Sequence, residues 1–121
     1  MKNSDGQEVI DMAIIETLRE LGGAEDPGLV SELIDLYLLD APERIREIQD
    51  ALEREDFDLL ERASHTLKSA SANIGAAQLS VFCEGLEKMA RSKCVDDVAA
   101  QVELSQETFQ QVHQALSQLR D

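Results

Sequence analysis

The stretch Asp56–Gly75, DFDLLERASHTLKSASANIG, restricts the fold more than any other part of the chain. Its apolar residues fall at Phe57, Leu60, Ala63, Leu67, Ala70 and Ile74, in steps of three or four. That is the period of a helix with one buried face. Asp56 is suited to accept from the free N–H groups of a first turn, and Gly75 to end the helix. With about 3.6 residues per turn, His65 lies roughly 160° around the axis from Leu67, so it points to water. Glu61, Lys68, Ser69 and Ala72 share that outer face. An imidazole therefore stands in the open, with an ammonium one turn on and two small side chains leaving room above it.

The rest of the chain repeats the helical period. Asp11 is expected to cap a short helix running to Leu21, with Ile14 or Ile15, Leu18 and Leu21 facing inward and Gly22-Gly23 ending it. Asp26-Pro27 marks a second start, followed by an apolar stripe at Leu29, Val30, Leu33, Ile34, Tyr37 and Leu38. Asp40-Ala41-Pro42-Glu43 has the form of a capping sequence. It either opens a third helix or kinks a continuous one, with Ile45, Ile48 and Leu52 inward. After Gly75 and Ala76, the next helix buries Leu79, Phe82, Cys83, Leu86, Met89 and Ala90. Ser92–Val95 is a break. A last helix carries Val95, Val98, Val102, Ser105, Phe109, Val112, Leu116 and Leu119 along one stripe. Residues 1–8 are expected to be a flexible tail and residues 9–121 one helical domain. Short connections between long amphipathic helices imply antiparallel neighbours.

Composition agrees and narrows the function. The chain of 121 residues suffices for one domain, and 43% hydrophobic content suffices for a core. It has no Trp and only 2 Pro, and is rich in Leu, Ala, Glu, Gln and Arg, which favours an all-α fold. No apolar run approaches the ~20 residues of a membrane span, and MKNSDGQE offers no apolar signal segment. A net charge of −14 repels nucleic acid and anionic lipid, so neither is an expected partner. Cys83 and Cys94 have no CxxC spacing, which suits a reducing cytoplasm. No Gly-rich loop follows a strand to cradle the phosphates of ATP. Glu61 and His65 at i, i+4 make two metal ligands without a third, so neither a metal nor a cofactor is expected. His113 flanks the last helical stripe as a boundary residue.

The segment HTLKSASANIGA, His65–Ala76, closely resembles the signature of the histidine-containing phosphotransfer (HPt) domain. That signature is a His, any residue, Leu, Lys, a run of small residues, and a Gly some way beyond. The LGG turn at 21–23, ELIDLYLLDAPERI at 32–45 and LSVFCEGLEKMAR at 79–91 also look like their HPt counterparts, so the resemblance covers most of the chain. It implies an all-α, antiparallel four-helix bundle with one or two short additional helices over one end.

The resemblance also implies a phosphorelay intermediate. His65 Nε2 would accept a phosphoryl group from the aspartyl phosphate of a response-regulator receiver domain and pass it to another receiver. A hybrid sensor histidine kinase would stand upstream, and the Mg²⁺ would belong to the receiver. The chain itself would be a monomeric phosphocarrier without kinase activity, standing alone or cut from a larger kinase. Lys68, at i+3, puts a positive charge beside the incoming group. Ser69 and Ala72 keep the flank low, although Ser69 stands where the family usually has Gly. Glu87 matches the Gln or Glu that often orients the histidine's other nitrogen. It would hold Nδ1–H and raise the basicity of the ring. Two alternatives are a merely solvated Glu87, and Glu84, one turn earlier, in the same role. Docking is expected on Ile14 or Ile15, Leu18, Ser69 and Ala72. The competing function is an adaptor bundle that binds receivers or other signalling domains without being phosphorylated. Such an adaptor would not need an exposed His–Lys pair with small flanks.

Overall fold

In a computed structural model of the chain, residues 8–93 and 96–120 are described. Residues 1–7 of the tail expected at 1–8, Cys94, Val95 and Asp121 lie outside them. The described residues form helices α1 (Met12–Gly22), α2 (Leu29–Arg54), α3 (Phe57–Asn73), α4 (Ala77–Ser92) and α5 (Val98–Leu119), and the fold is an all-α bundle. α3 packs between α2 and α4, and α5 closes the ring against both, while α1 lies on α2. Polar contacts report the antiparallel order. Tyr37 on α2 meets Ser71 on α3 at 2.8 Å, Arg91 on α4 meets Glu61 on α3 at 2.9 Å, and Arg120 just past α5 meets Asp35 on α2 at 2.6 Å.

Each helix follows from its sequence. The Asp11 carboxylate accepts from Ala13 N–H at 3.0 Å, and that of Asp56 from Leu59 N–H at 3.1 Å, so both expected caps start their helices. α2 is one continuous helix through Pro42. Proline there removes one backbone donor. The stripe Ile34, Tyr37, Ala41, Ile48, Ala51 keeps its register across it, and burial of that stripe outweighs the local stop signal. Leu21 was expected to face inward but is 73% exposed. Gly22 takes the inner position instead, and a Cβ there would come within 3.0 Å of Leu29 Cβ. The inner line of α1 is therefore Ile15, Leu18, Gly22, which turns Leu21 outward.

The core joins Ile15, Ile34, Ile48, Leu60, Leu67, Leu79, Leu86 and Leu116, all essentially inaccessible. Met89 and Phe109 are half-buried against it, and Phe82, expected to be buried, is only half-buried. Tyr37 carries its hydroxyl into this interior, satisfied by Ser71, and burial pushes its phenol well above the usual range. Burial likewise pushes the Cys83 thiol up to about 12, so it stays protonated and packs as a small hydrophobe.

The turn between α3 and α4 is locked to the start of α1. Gly75 has φ +88°, its carbonyl accepts from Asp11 N–H at 2.8 Å, and an added Cβ would lie 2.9 Å from the Asp11 carbonyl oxygen. Val9 and Ile10 are buried beside it. Gly85, inside α4, has open space where a Cβ would go. The two glycines should therefore respond oppositely to alanine. Gly75→Ala is expected to lower the unfolding free energy by about 1–3 kcal/mol, and Gly85→Ala to raise it by up to about 1 kcal/mol. Urea denaturation of the two variants checks the contrast.

Candidate functional site

The outer face of α3 and the adjoining edge of α4 carry the polar cluster of interest. The buried faces of the two helices set small residues, Ala63, Ser64 and Ser71 on α3 and Cys83 and Ala90 on α4, among the leucines. Ser80 on α4 donates its hydroxyl to the Lys68 carbonyl of α3 at 3.1 Å. Glu87 lies on α4 at the seam, and its side chain is only 8% exposed. It is not a solvated helix charge, because three donors on two helices enclose it. Lys68 Nζ donates to Oε1 at 2.6 Å, and His65 Nδ1 donates to Oε2 at 2.8 Å. Arg91 approaches Oε2 at 3.1 Å and donates through Nε to Glu61 at 2.9 Å.

A carboxylate buried without partners would be driven to its neutral form. Here the Lys68 hydrogen bond holds the Glu87 carboxyl below the usual range, opposed by burial and reinforced by the hydrogen bond from His65. A carboxylate can only accept, so the proton on His65 sits on Nδ1 and the lone pair on Nε2. The imidazole itself is 59% exposed. Its two nitrogens thus have separate roles: one is fixed to the protein, the other is free to react.

The remaining expected residues divide. Ser69 and Ala72 are exposed on the same face as His65. Ile14 and Leu18 are half-buried, and Leu18 lines an apolar groove with Leu33, Leu36, Tyr37, Ala70 and Ile74. Ile15 is fully buried in the core and has no surface to offer a partner, which removes it from the docking set. Glu84 is exposed and pairs with Lys88 at 3.8 Å, so Glu87 is the carboxylate that meets the histidine. Glu61 is engaged by Arg91, and among the described residues no group of His, Cys, Asp and Glu is arranged to hold a metal. His113 is exposed and stacks edge-on against Phe109, with ring centroids 6.1 Å apart. Sequence reasoning did not single out Arg91. Its i, i+4 spacing from Glu87 was the available signal.

The profile of the Hpt domain matches residues 32–121. The chain belongs to the Hpt domain family. Among its relatives, histidine-containing phosphotransfer protein 4 of Arabidopsis thaliana is 33% identical over 105 residues, which cover 85% of this chain and 77% of that protein. Multistep phosphorelay regulator 1 of Schizosaccharomyces pombe is 25% identical over 92 residues, covering 76% of this chain and 31% of that protein. The crystal structure of histidine-containing phosphotransfer protein B from Pseudomonas aeruginosa PAO1 superposes with a TM-score of 0.84 at 30% identity, covering 93% of this chain and 94% of that one. As an Hpt domain, the protein is a phosphorelay intermediate. Among its described residues, no helix is long and apolar enough to cross a membrane.

The pH dependence of stability tests the Glu87 cluster of this Hpt domain. A lowered folded pKa means that the carboxylate's contribution is complete above its ordinary value of about 4.3 and is lost as pH falls through the lower folded value. Glu87→Gln is expected to cost about 1–3 kcal/mol at pH 7. The gap from wild type should close below about pH 4. Urea unfolding of both proteins from pH 7 to pH 3 measures it, and a gap unchanged by acid would count against the charged cluster.

Proposed function

We propose that His65 is the phosphoryl acceptor and donor of this Hpt domain. The observation that carries the reading is the division between the ring nitrogens, with Nδ1–H held by buried Glu87 and Nε2 facing solvent. The Nε2 lone pair attacks phosphorus of an aspartyl phosphate on a receiver domain. An N–P bond forms, the P–O bond to the aspartate breaks, and its electron pair leaves on the carboxylate oxygen. No proton has to depart. The ring becomes cationic because Nδ1 keeps its hydrogen, and Glu87 stands opposite the new positive charge. Return to a second receiver reverses each bond change.

The receiver supplies the aspartate and Mg²⁺, and a hybrid sensor histidine kinase supplies the phosphoryl group upstream. The domain has no kinase activity of its own and acts in the cytoplasm as a monomer. Lys68 acts here mainly through Glu87, since its ammonium is already in contact with that carboxylate. Receivers dock over Ser69 and Ala72, with the apolar groove beside Leu18 receiving part of the partner. Leu36 lines that groove and is 63% exposed, which suits a side chain covered only on association.

Two measurements test the reading. Incubation with a receiver domain charged by acetyl phosphate is expected to add one acid-labile phosphoryl group to wild type and none to His65→Gln, with equal helix content by circular dichroism. Persistent receiver binding without any gain of mass on wild type would favour the adaptor function instead. Separately, Leu36→Asp is expected to weaken receiver binding by about tenfold or more, as loss of an apolar contact of 1.4 kcal/mol would. Titration calorimetry against the receiver reads that change.

A further inference from the structure

The charges around His65 are matched pair by pair, with one exception. Lys68 and Arg91 are balanced by Glu87 and Glu61. Arg44 lies between Asp40 and Glu47. Among the described residues, every other lysine and arginine also has a carboxylate within ion-pairing distance, except Arg62 and Lys93. Lys93 is the C-cap residue of α4 and does not line the cleft that holds His65. Arg62 is exposed on α3, one turn before His65, and lines the same cleft of about 470 Å³ as His65, Thr66 and Arg44. At i, i+3 the Cβ atoms of Arg62 and His65 are about 5–6 Å apart. Helical geometry puts Arg62 and Lys68 on opposite flanks of the imidazole, roughly 60° to either side. Lys68 is committed to Glu87, whereas the guanidinium of Arg62 is uncommitted.

Transfer of a phosphoryl group brings about two negative charges to Nε2. In a chain of net charge −14, the cation left to meet them is Arg62. We propose that Arg62 is the counter-ion of the phosphoryl group on His65, so that it sets how the group is shared between this protein and a receiver. This rests on His65 being the acceptor. A guanidinium suits the task because its planar fork can donate to two phosphoryl oxygens at once. Glu87 balances the cationic ring on one side while Arg62 balances the phosphoryl on the other. The bond changes are those given above, and Arg62 enters them only through charge and hydrogen bonds.

The test is the equilibrium share of the phosphoryl group after mixing with a phosphorylated receiver freed of acetyl phosphate. That share compares the free phosphorylated species, so a change confined to docking leaves it alone. Arg62→Gln is expected to move the partition toward the receiver by about threefold to tenfold. Arg62→Lys should restore much of it, and Lys93→Gln, with the same change in net charge, should leave it at the wild-type value. In 1 M salt, where the screening length is about 3 Å, the Arg62→Gln effect should shrink. Thermal melting is expected to be unchanged, since the side chain is exposed. An unaltered partition in Arg62→Gln, an equal shift in Lys93→Gln, or a change in rate alone overturns the assignment. If wild type takes up no phosphoryl group on His65, the parent reading and this one fall together. Normal loading of wild type with an unaltered Arg62→Gln sinks only the present inference.

Discussion

The burial of one carboxylate governs both the fold and the chemistry of this domain. Glu87 sits at the α3–α4 seam with 8% of its side chain exposed, and the hydrogen bonds from Lys68 and, second to it, His65 hold its carboxyl below the usual range against the opposing effect of burial. Removing an ion from water costs several kcal/mol, which attraction offsets only where the geometry is good and the remaining lone pairs are used. Both oxygens of Glu87 are used. Lys68 occupies one, and His65 and Arg91 share the other. The contact that joins two helices therefore also sets the tautomer and the orientation of the imidazole. Packing of Leu67, Cys83 and Leu86 beneath the seam fixes the helix separation on which those distances depend.

A phosphocarrier faces two demands that conflict. Its nucleophile must be reachable by another folded protein, yet it must be held still enough for in-line attack. An exposed side chain ordinarily samples several rotamers, and ordering it on arrival of the partner costs free energy. Here the ring is exposed at one edge and tethered at the other, so the ordering is done before the partner arrives. Ser69 and Ala72, both small, are exposed on the same face as the ring. The adjoining groove around Leu18 and Leu36 is apolar and is lined by none of the residues of the polar cluster.

Much of this was legible in the sequence because helical period is a strong and local signal. The start of α3 at its Asp56 cap, its stop just before the left-handed Gly75, and the exposure of His65 all follow from spacing within twenty residues. The features that were not legible depend on contacts between elements. Leu21 and Gly22 are adjacent, and which of them faces inward is set by how closely α1 approaches Leu29 of α2. Ile15 and Ile14 differ in the same way, and only the docking of α1 assigns one to the core. Pro42 carries a local stop signal that burial of the α2 stripe overrides. The depth of Glu87 could not be read from a charged residue flanked by Lys88 and Glu84, because its partners lie about twenty residues away on α3 or one turn on as Arg91.

The acidity of the chain does not conflict with traffic in phosphoryl groups, since range decides which charges matter. At physiological ionic strength the screening length is about 8 Å. Many of the carboxylates of α2, such as Asp50 and Glu43, are paired along their own helix with Arg54 and Arg46. Those pairs are exposed and weak, but each sets a cation of α2 beside its acid. At the site itself, Glu61 and Glu87 are cancelled locally by Arg91 and Lys68. The overall charge is then felt at a distance as repulsion of polyanions, while beside His65 these two acids each stand against a cation. A bundle can in this way be strongly acidic as a whole and still present a histidine whose surroundings accept more negative charge.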